Sequence, residues 1–343
     1  MVADDRTGAM ETAGACADLG CAAVVAPFSI EDGGTAQCLV IDLASRHLDA
    51  PEAAARAAAV PMTALHKLDS TLRGNWAHEI VGRQKASGRR VLVVPAFPAA
   101  GRTCEGGVVL AGGRPVSEGD AANDARGGVR SSRPAEHLLQ AGASSVDVVS
   151  RDTLAAWLDF GTGEIAVCDA VSDDDLRVVA ALWAGHRDVM LAGTAATVAS
   201  AAAATLVPSG THGAAPLCEG PALIVCGSLH PMAQAQVAMA QSAGATVLVS
   251  DAGADGDAAE VAAALGANAH RALATNDFRT VVLVGGDTAA AVLGDTVVWV
   301  GGTMAPGVAW SRPFGDPGPL VFTKPGGFGG PSTLVDLLAG ALT

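Results

Sequence analysis

Three short strings carry the residue types that anion and hydroxyl chemistry needs. The first is Asp4-Asp5-Arg6-Thr7-Gly8-Ala9, with two adjacent carboxylates, a hydroxyl and a glycine ahead of an Ala-rich segment. Open α/β sheets bind ligands at the carboxyl ends of their strands, where such a loop could hold a metal or a polyol. The same residues also suit plain helix capping followed by a turn glycine. The second string is His66-Lys67-Leu68-Asp69-Ser70-Thr71-Leu72-Arg73-Gly74-Asn75, placed between a strand and a helix. Lys67 and Arg73 supply positive charge, Arg is suited to forked recognition of a carboxylate, and the N–H groups of the turn can receive an anion. A chain of net charge −14 needs such a local cluster to bind an anionic substrate. The competing reading makes Asp69 or Ser70 an N-cap beside a solvated Lys and Arg. The third string, Pro95-Ala96-Phe97-Pro98-Ala99-Ala100-Gly101-Arg102-Thr103, ends a strand in a rigid turn that presents Arg102. Asp42 and Ser45-Arg46 close another strand. Taken singly, the Arg102 turn reads as structural and Arg46 as a surface residue.

Three glycine corners follow in the second half. They are Cys226-Gly227-Ser228, Gly285-Gly286-Asp287-Thr288 and Lys324-Pro325-Gly326-Gly327-Phe328-Gly329-Gly330. Glycine lets a backbone approach a phosphate, and a helix N-terminus favours negative charge. One such corner is an ordinary turn; three in one small domain raise nucleotide binding to equal standing. Neither GxGxxG nor GxxxxGK[ST] occurs at them, so a dinucleotide fingerprint and a Walker A loop are unsupported. The eight His form no HExxH, and Ser228 is not in GxSxG. Asp173-Asp174-Asp175 reads as the acidic first turn of a helix, and no metal-ligating set is assigned.

These strings must be positioned by strands and helices. Strand candidates are Ala23–Pro27, Cys38–Leu43, Ala64–Leu68, Arg90–Pro95, Ser145–Val149, Ile165–Asp169, Val189–Ala192, Ala222–Cys226, Thr246–Val249, Thr280–Val284 and Thr296–Val300. Helix candidates include Met10–Leu19, Ala50–Ala59, Asn75–Ala86, Pro134–Ala141, Asp173–Ala184, Pro231–Gly244, Ala258–Asn276 and Thr288–Leu293. This alternation predicts an α/β chain of two domains, each with a mostly parallel sheet flanked by helices. The turn-rich stretch around Val207-Pro208-Ser209-Gly210 predicts a domain over 1–205, a linker over 206–220 and a second domain over 221–343. The polar stretch Gly112–Arg133 is expected to be a mobile surface loop.

Composition removes several function classes. The chain has 343 residues, with 21 Lys+Arg against 35 Asp+Glu, which disfavours phosphate-rich partners such as nucleic acid. Aromatics are 3% with no Tyr, so base-stacking platforms are not expected. Seven Cys, an odd number without a CxxC pair, argue against a disulfide framework or zinc ribbon. Reduced thiols in a cytoplasmic protein are the expectation. Charges near Met1 interrupt any signal peptide, and no run of 18 apolar residues suggests a membrane span.

In this order, the strings resemble the four-carbon acid sugar kinase family. The matching pieces are Asp4–Ala9, Lys67–Asn75, Pro95–Arg102, Gly285–Thr288, Ala305-Pro306-Gly307-Val308 and Lys324–Gly329, spread from residue 4 to about residue 338. The resemblance implies a sugar-acid-binding N-terminal domain and an ATP-binding C-terminal domain. It implies transfer of the γ-phosphoryl group to the terminal hydroxyl of a four-carbon acid such as threonate, erythronate or an oxo-tetronate, with Mg²⁺ accompanying ATP. On this reading Asp5, Arg46, Lys67, Asp69, Ser70, Arg73, Asn75 and Arg102 bind the acid. Asp69 or Asp5 accepts the hydroxyl proton. Ser228, Gly285, Gly286, Asp287, Thr288, Gly326, Gly327 and Gly329 bind the nucleotide. The expected partners are the sugar acid and ATP, with a homodimer by analogy.

The chain departs from the family pattern at several positions. Arg6 stands where an apolar residue is usual, and His66 where Lys is common. Asp42-Leu43-Ala44-Ser45-Arg46 is a loosened DTxSR. Leu229-His230 replaces a smaller, more polar pair, and Thr303 and Ala309 also differ. These bear on the substrate more than on the reaction class. Met1-Val2-Ala3 are all that stands in place of the family's first apolar strand, so an inner strand is expected to be missing and the start placed too late. The Gly285–Gly307 segment is also short. The competing functions are a sugar-acid-binding protein that has lost kinase activity and a nucleotide-dependent oxidoreductase.

Overall fold

Runs such as Val91–Val94, Ile165–Cys168 and Thr280–Val284 are apolar without alternation and buried at every residue. That is the signature of strands covered on both faces, as in parallel sheets. The computed structural model describes residues 1–30, 34–60, 65–123, 128–207, 210, 216–250, 258–314 and 318–342. In chain order the strands are β1 (Val2–Ala3), β2 (Ala23–Pro27), β3 (Cys38–Asp42), β4 (Leu65–Lys67), β5 (Val91–Val94), β6 (Arg102–Glu105), β7 (Val108–Ala111), β8 (Arg114–Pro115), β9 (Val146–Val149), β10 (Ile165–Cys168), β11 (Met190–Gly193), β12 (Ala222–Cys226), β13 (Thr246–Val249), β14 (Thr280–Val284), β15 (Val298–Ala305), β16 (Val308–Pro313) and β17 (Leu320–Lys324). The helices are α1 (Arg6–Asp18), α2 (Ala50–Ala59), α3 (Trp76–Ser87), α4 (Pro134–Gln140), α5 (Arg151–Phe160), α6 (Asp173–Ala184), α7 (Ala195–Thr205), α8 (Pro231–Ser242), α9 (Ala258–Thr275), α10 (Gly286–Leu293) and α11 (Thr333–Leu338). Among the described residues no helix is long and apolar enough to cross a membrane.

The chain forms two compact units, Met1–Asp4 with Ile41–Val207, and Asp5–Val40 with Pro208–Thr343. By contact, residues 5–40 of the expected 1–205 domain group with the C-terminal segment, and the chain passes between the units again at Val207; of the expected linker 206–220, residues 208–209 and 211–215 lie outside the described ones.

The first unit carries a parallel sheet in the order β3-β1-β4-β11-β5-β10-β9. The chain steps one way from β3 through β4 and β5 to β9, then back through β10 to β11. Right-handed crossovers therefore place α2, α3 and α4 on one face and α5 and α6 on the other. Trp76, Trp183, Leu92, Leu138 and Leu154 fill the layers between. Val2 and Ala3 pair with Ile41 and Asp42 on one side and His66 and Lys67 on the other, and both are fully buried. The slot expected to lack a strand thus holds this two-residue one. Gly112–Arg133 contains β8 and two short 3-10 turns, and buries Val116 and Val129 in the core; residues 124–127 of it lie outside the described ones.

In the second unit β13-β12-β14-β17 run parallel. The sheet continues antiparallel through β16 and β15 to β2. β15 and β16 are joined by the two residues Pro306-Gly307, with Gly307 at φ +77°. A connection that short forces an antiparallel pair. α1 packs on β15, where a Cβ at Gly14 would meet Thr303 Cγ2 at 2.9 Å.

Candidate functional site

In the first unit the loops after β1, β3 and β4 leave the sheet at the same end, since the three strands are parallel neighbours. Asp4 follows β1 and is fully buried. Arg46 donates to Asp4 Oδ2 from Nε at 2.8 Å and approaches it from Nη2 at 2.7 Å. Lys67 Nζ lies 3.7 Å from Asp4 Oδ1. Asp69 accepts from Thr71 N (2.9 Å), Thr71 Oγ1 (2.6 Å), Arg73 Nε (3.2 Å) and Arg73 Nη2 (2.8 Å). Arg46 Nη2 reaches it at 3.5 Å. Burial alone would raise the Asp69 pKa, but the Arg73 and then the Arg46 guanidinium outweigh it and hold the carboxyl well below its ordinary value.

The backbone is strained where it presents both arginines. Ala44, two residues before Arg46, has φ +48°, and Leu72, one before Arg73, has φ +66°. Such residues persist only where their surroundings over-determine them, which is typical of ligand sites. Gly74 has φ +83°, and a Cβ there would stand 3.2 Å from Asp4 Oδ2. Asn75, expected to bind substrate, ties the β3 loop through Nδ2 to Ser45 O at 2.9 Å and Leu48 O at 2.8 Å. Ser70 is half-buried in the turn before α3. Arg102 starts β6 in the small antiparallel sheet β6-β7-β8, and its guanidinium donates to Ala100 O.

In the second unit the three glycine corners meet. Gly227 N donates to Thr288 Oγ1 at 3.0 Å, and Gly285 N to Lys324 O at 2.9 Å. Gly285, at φ +110°, precedes α10. A Cβ at Gly326 would overlap Ser228 Oγ, and one at Gly327 would meet the His230 ring at 3.1 Å. His230 caps α8 by accepting from Met232 N at 3.1 Å, and its own N–H donates to Ser228 Oγ at 3.3 Å. Lys324 is fully buried and turns inward, donating to Pro325 O at 2.7 Å and Gly326 O at 3.4 Å. Burial pulls its pKa down to about 8. Gln236 Nε2 donates to Phe328 O (2.9 Å) and Gly330 O (2.8 Å). Lys324 and Gln236 thus hold the carbonyls of the last corner, which contains Gly329 at φ +82°.

Asp5 belongs to this second unit. Its Oδ1 caps α1 by accepting from Gly8 N at 2.8 Å, and its Oδ2 accepts from Thr7 Oγ1 at 3.0 Å. A Cβ on Gly286 would lie 2.6 Å from Oδ2, so this carboxylate sits at the start of α10, beside the glycine corner. Sequence reasoning grouped Asp5 with the acid-binding residues. The structure instead ties Asp4 to Arg46 and Lys67, and Asp5 to the corner. The sequence reading carries Asp4 and Lys324 only as members of their strings, with no role of their own, and does not name Glu79 or Gln236. The signal for Asp4 was the doubled carboxylate itself, and for Glu79 its place four residues after Asn75 on one helix face.

The described residues include no group of three or more His, Cys, Asp or Glu that could hold a metal ion. All seven cysteines are free thiols, and all but Cys218 are buried.

Residues 1–202 match the sugar-binding N-terminal domain family, and residues 245–334 the nucleotide-binding C-terminal domain family. A D-threonate kinase of Bordetella bronchiseptica is 33% identical over 277 residues, covering 71% of this chain and 62% of the relative. A D-threonate kinase of Salmonella typhimurium is 32% identical over 257 residues, covering 69% and 59%. The chain therefore spans less than two thirds of the length of these relatives. A 3-oxo-tetronate kinase of Methylobacterium radiotolerans is 27% identical, with 96% of each chain covered. Among solved structures, a Salmonella typhimurium LT2 protein titled a putative tRNA synthase has TM-score 0.77 at 19% identity over 96% of each chain, which speaks for the fold alone. A Bordetella bronchiseptica domain of unknown function, solved with bound citrate as a domain-swapped dimer, has TM-score 0.51 at 28% identity, covering 99% of this chain and 97% of that one. With both domain families matched in order and kinases of two four-carbon acids among its relatives, the chain belongs to the four-carbon acid sugar kinase family.

Proposed function

We propose that this protein is an ATP-dependent kinase that phosphorylates the terminal hydroxyl of a four-carbon sugar acid, with D-threonate the first acceptor to test. The observation that carries this reading is the cluster of half-buried Arg46 and Arg73 and buried Lys67 against the buried carboxylates of Asp4 and Asp69. Three cations against two carboxylates leave one positive charge, which suits a single substrate carboxylate. The related Bordetella structure was solved with bound citrate, which supports a site for a carboxylic acid.

In the proposed reaction Arg46, Lys67 and Arg73 hold the acceptor carboxylate, and Asp69 fixes both guanidinium planes. The acceptor hydroxyl oxygen forms the bond to the γ-phosphorus. The bond from that phosphorus to the β–γ bridging oxygen breaks, and ADP leaves with the oxygen. Asp5 takes the hydroxyl proton. Asp69 is the poorer acceptor because its oxygens already take several donors and its proton affinity is depressed. The phosphates lie against the backbone of Ser228, Gly285, Gly286, Thr288, Gly326, Gly327 and Gly329, with the starts of α8 and α10 favouring negative charge. Mg²⁺ binds with one or two carboxylates plus substrate phosphates and water, so it needs no protein cage. Asp287, in the first turn of α10, fits that requirement. When bound, Mg²⁺ offsets phosphate charge. Catalysis then rests on positioning and electrostatics, as phosphoryl transfer requires.

The test is ADP release with ATP and Mg²⁺ across both threonates, both erythronates and the oxo-tetronates, against a blank without acceptor. Acid-dependent ADP formation is expected; silence from folded protein would overturn the kinase reading. The alternative is an acid-binding protein without turnover, to which the departure of Leu229-His230 after Ser228 from the family's smaller, more polar pair lends support. Acid binding without ADP formation would establish that alternative. Free thiols and an ATP requirement favour the cytoplasm. A second copy of the chain is the proposed partner, by likeness to the Bordetella dimer, and sedimentation analysis reads its presence.

A further inference from the structure

Behind the acid cluster lies a chain of buried polar groups that the proposed reaction does not use. Ser45 Oγ donates to Glu79 Oε1 at 2.6 Å. His66 Nε2 stands 3.1 Å from Glu79 Oε2, and Arg83 Nη1 stands 3.2 Å from His66 Nδ1. Ser45, His66 and Glu79 have no exposed surface, and Arg83 has 5%. The hydrogen-bond pattern assigns the tautomer. An arginine can only donate, so Nδ1 accepts and Nε2 carries the proton that Glu79 receives. Both Glu79 oxygens are therefore taken, one by the β3 loop and one by β4.

That loop has reason to move. Ala44 sits in the left-handed region, which a residue with a Cβ adopts at a cost. What holds it is a set of bonds around Ser45. Ala44 N donates to Asp42 Oδ1 at 2.9 Å, Ser45 N to Asp4 O at 3.0 Å, and Asn75 Nδ2 to Ser45 O. Asn75 and Glu79 stand one turn apart at the start of α3, with Glu79 N donating to Asn75 O at 3.0 Å. Arg46 is the next residue along, and two of its nitrogens, Nε and Nη2, converge on the single oxygen Oδ2 of Asp4, a contact set by where the turn carries the side chain.

We propose that Glu79 is a positioning residue for the acid site: through the Ser45 hydroxyl it fixes the strained turn that aims Arg46, while His66 and Arg83 fix Glu79. This deepens the kinase reading and rests on it. Glu79 touches neither substrate nor phosphate; it acts through Arg46. Loss of the tie shifts the turn and weakens the grip on the acid, while the nucleotide corners in the other unit are untouched.

The experiment compares wild type with Ser45→Ala and Glu79→Gln, varying D-threonate and ATP independently. Removing a hydrogen bond to a charged group is expected to raise KM for the acid about tenfold in Ser45→Ala. KM for ATP should stay within about twofold. A role confined to fold stability would lower Tm and the active fraction and move neither KM. In parallel, phenylglyoxal modification of Arg46, mapped by mass spectrometry, is expected to quicken in both variants. An unchanged acid KM with wild-type labelling of Arg46 in folded Ser45→Ala overturns the proposal. If Glu79→Gln does not fold, Ser45→Ala decides alone. If wild type turns over no acid, the kinase reading fails and the Arg46 labelling rate still decides the role of Glu79.

Discussion

Replacing Asp69 by Asn separates an organising carboxylate from a base. The side chain is 8% exposed and accepts from Thr71 and from two nitrogens of the Arg73 side chain. The amide keeps the shape, but its NH₂ cannot accept, and Arg73 loses its counter-charge while Arg46 keeps Asp4. Breaking a fully buried pair by removing one partner costs about 3–5 kcal/mol, and the 35% exposure of the Arg73 side chain places this pair at the lower end of that range or below it. For a unit of this size, about 2–3 kcal/mol at roughly 2–4 °C per kcal/mol gives a Tm loss of about 4–12 °C. The effect also has a pH signature. The folded-state pKa of Asp69 lies below the unfolded one, so its stabilisation is complete above the ordinary carboxylate range and is lost as pH falls through the folded value. Thermal melts of wild type and Asp69→Asn should therefore differ by a constant amount from pH 8 to 5 and converge below about pH 4. In kinetics the variant should lose acid affinity more than kcat. The reasoning is refuted if the Tm gap is absent at pH 7 or persists undiminished in acid. It is also refuted if kcat falls about a thousandfold with acid KM unchanged, since Asp69 would then be the base.

Asp5→Asn should lower kcat by about 10²–10⁴ with little change in stability, because Asn caps a helix as well as Asp; kinetics paired with thermal melts test this. Gly326→Ala drives a Cβ into Ser228 Oγ, and should raise KM for ATP while leaving acid binding, read by calorimetry, unchanged. Lys324→Met should also raise KM for ATP, through loss of the bonds to Pro325 O and Gly326 O. Because the Lys324 pKa is depressed to about 8, unfolding takes up protons between about pH 8 and 10.5, and stability rises with pH across that window by about 3 kcal/mol. Denaturant melts of Lys324→Met should lack that rise.

The strands most legible in the sequence are the buried parallel ones. Ala222–Cys226 and Thr280–Val284 fall at the expected residues because an apolar run bounded by turns leaves little choice, and the exposed edge strand Thr246–Val249 falls at its expected residues as well. β16 and β17 escaped for a physical reason. β16 carries Arg312 and Pro313 and half-exposed Trp310, so its hydrophobic pattern is broken. β17 ends on Lys324, which reads with the glycine corner that follows rather than with the apolar run. The placement of residues 5–40 was not legible at all. The crossing at Val207 is marked by Pro, Ser and Gly, but those at Asp4–Asp5 and Val40–Ile41 occur without any turn signal, the latter inside β3.

The site was legible as residue types and not as pairings. A string such as Lys67–Asn75 announces charge at a strand end, because cations beside an apolar run need a reason to be there. It does not say which carboxylate each cation meets, since Asp4 and Arg46 are 42 positions apart and are joined only by strand order. The doubled Asp4-Asp5 shows the limit most clearly. As neighbours they read as one acidic pair. Asp4 ends a strand and turns to Arg46 and Lys67, while Asp5 begins a helix and turns to Thr7, Gly8 and the first residue of α10. The same side chain one residue on has a different cation environment, so the two carboxylates organise different neighbours. Resemblance transfers a motif as a unit, whereas chemistry is assigned residue by residue, by what each oxygen accepts. The His66–Glu79–Arg83 chain makes the same point from the core: three titratable residues that look like scattered helix and strand positions become one support once β4 and α3 are packed.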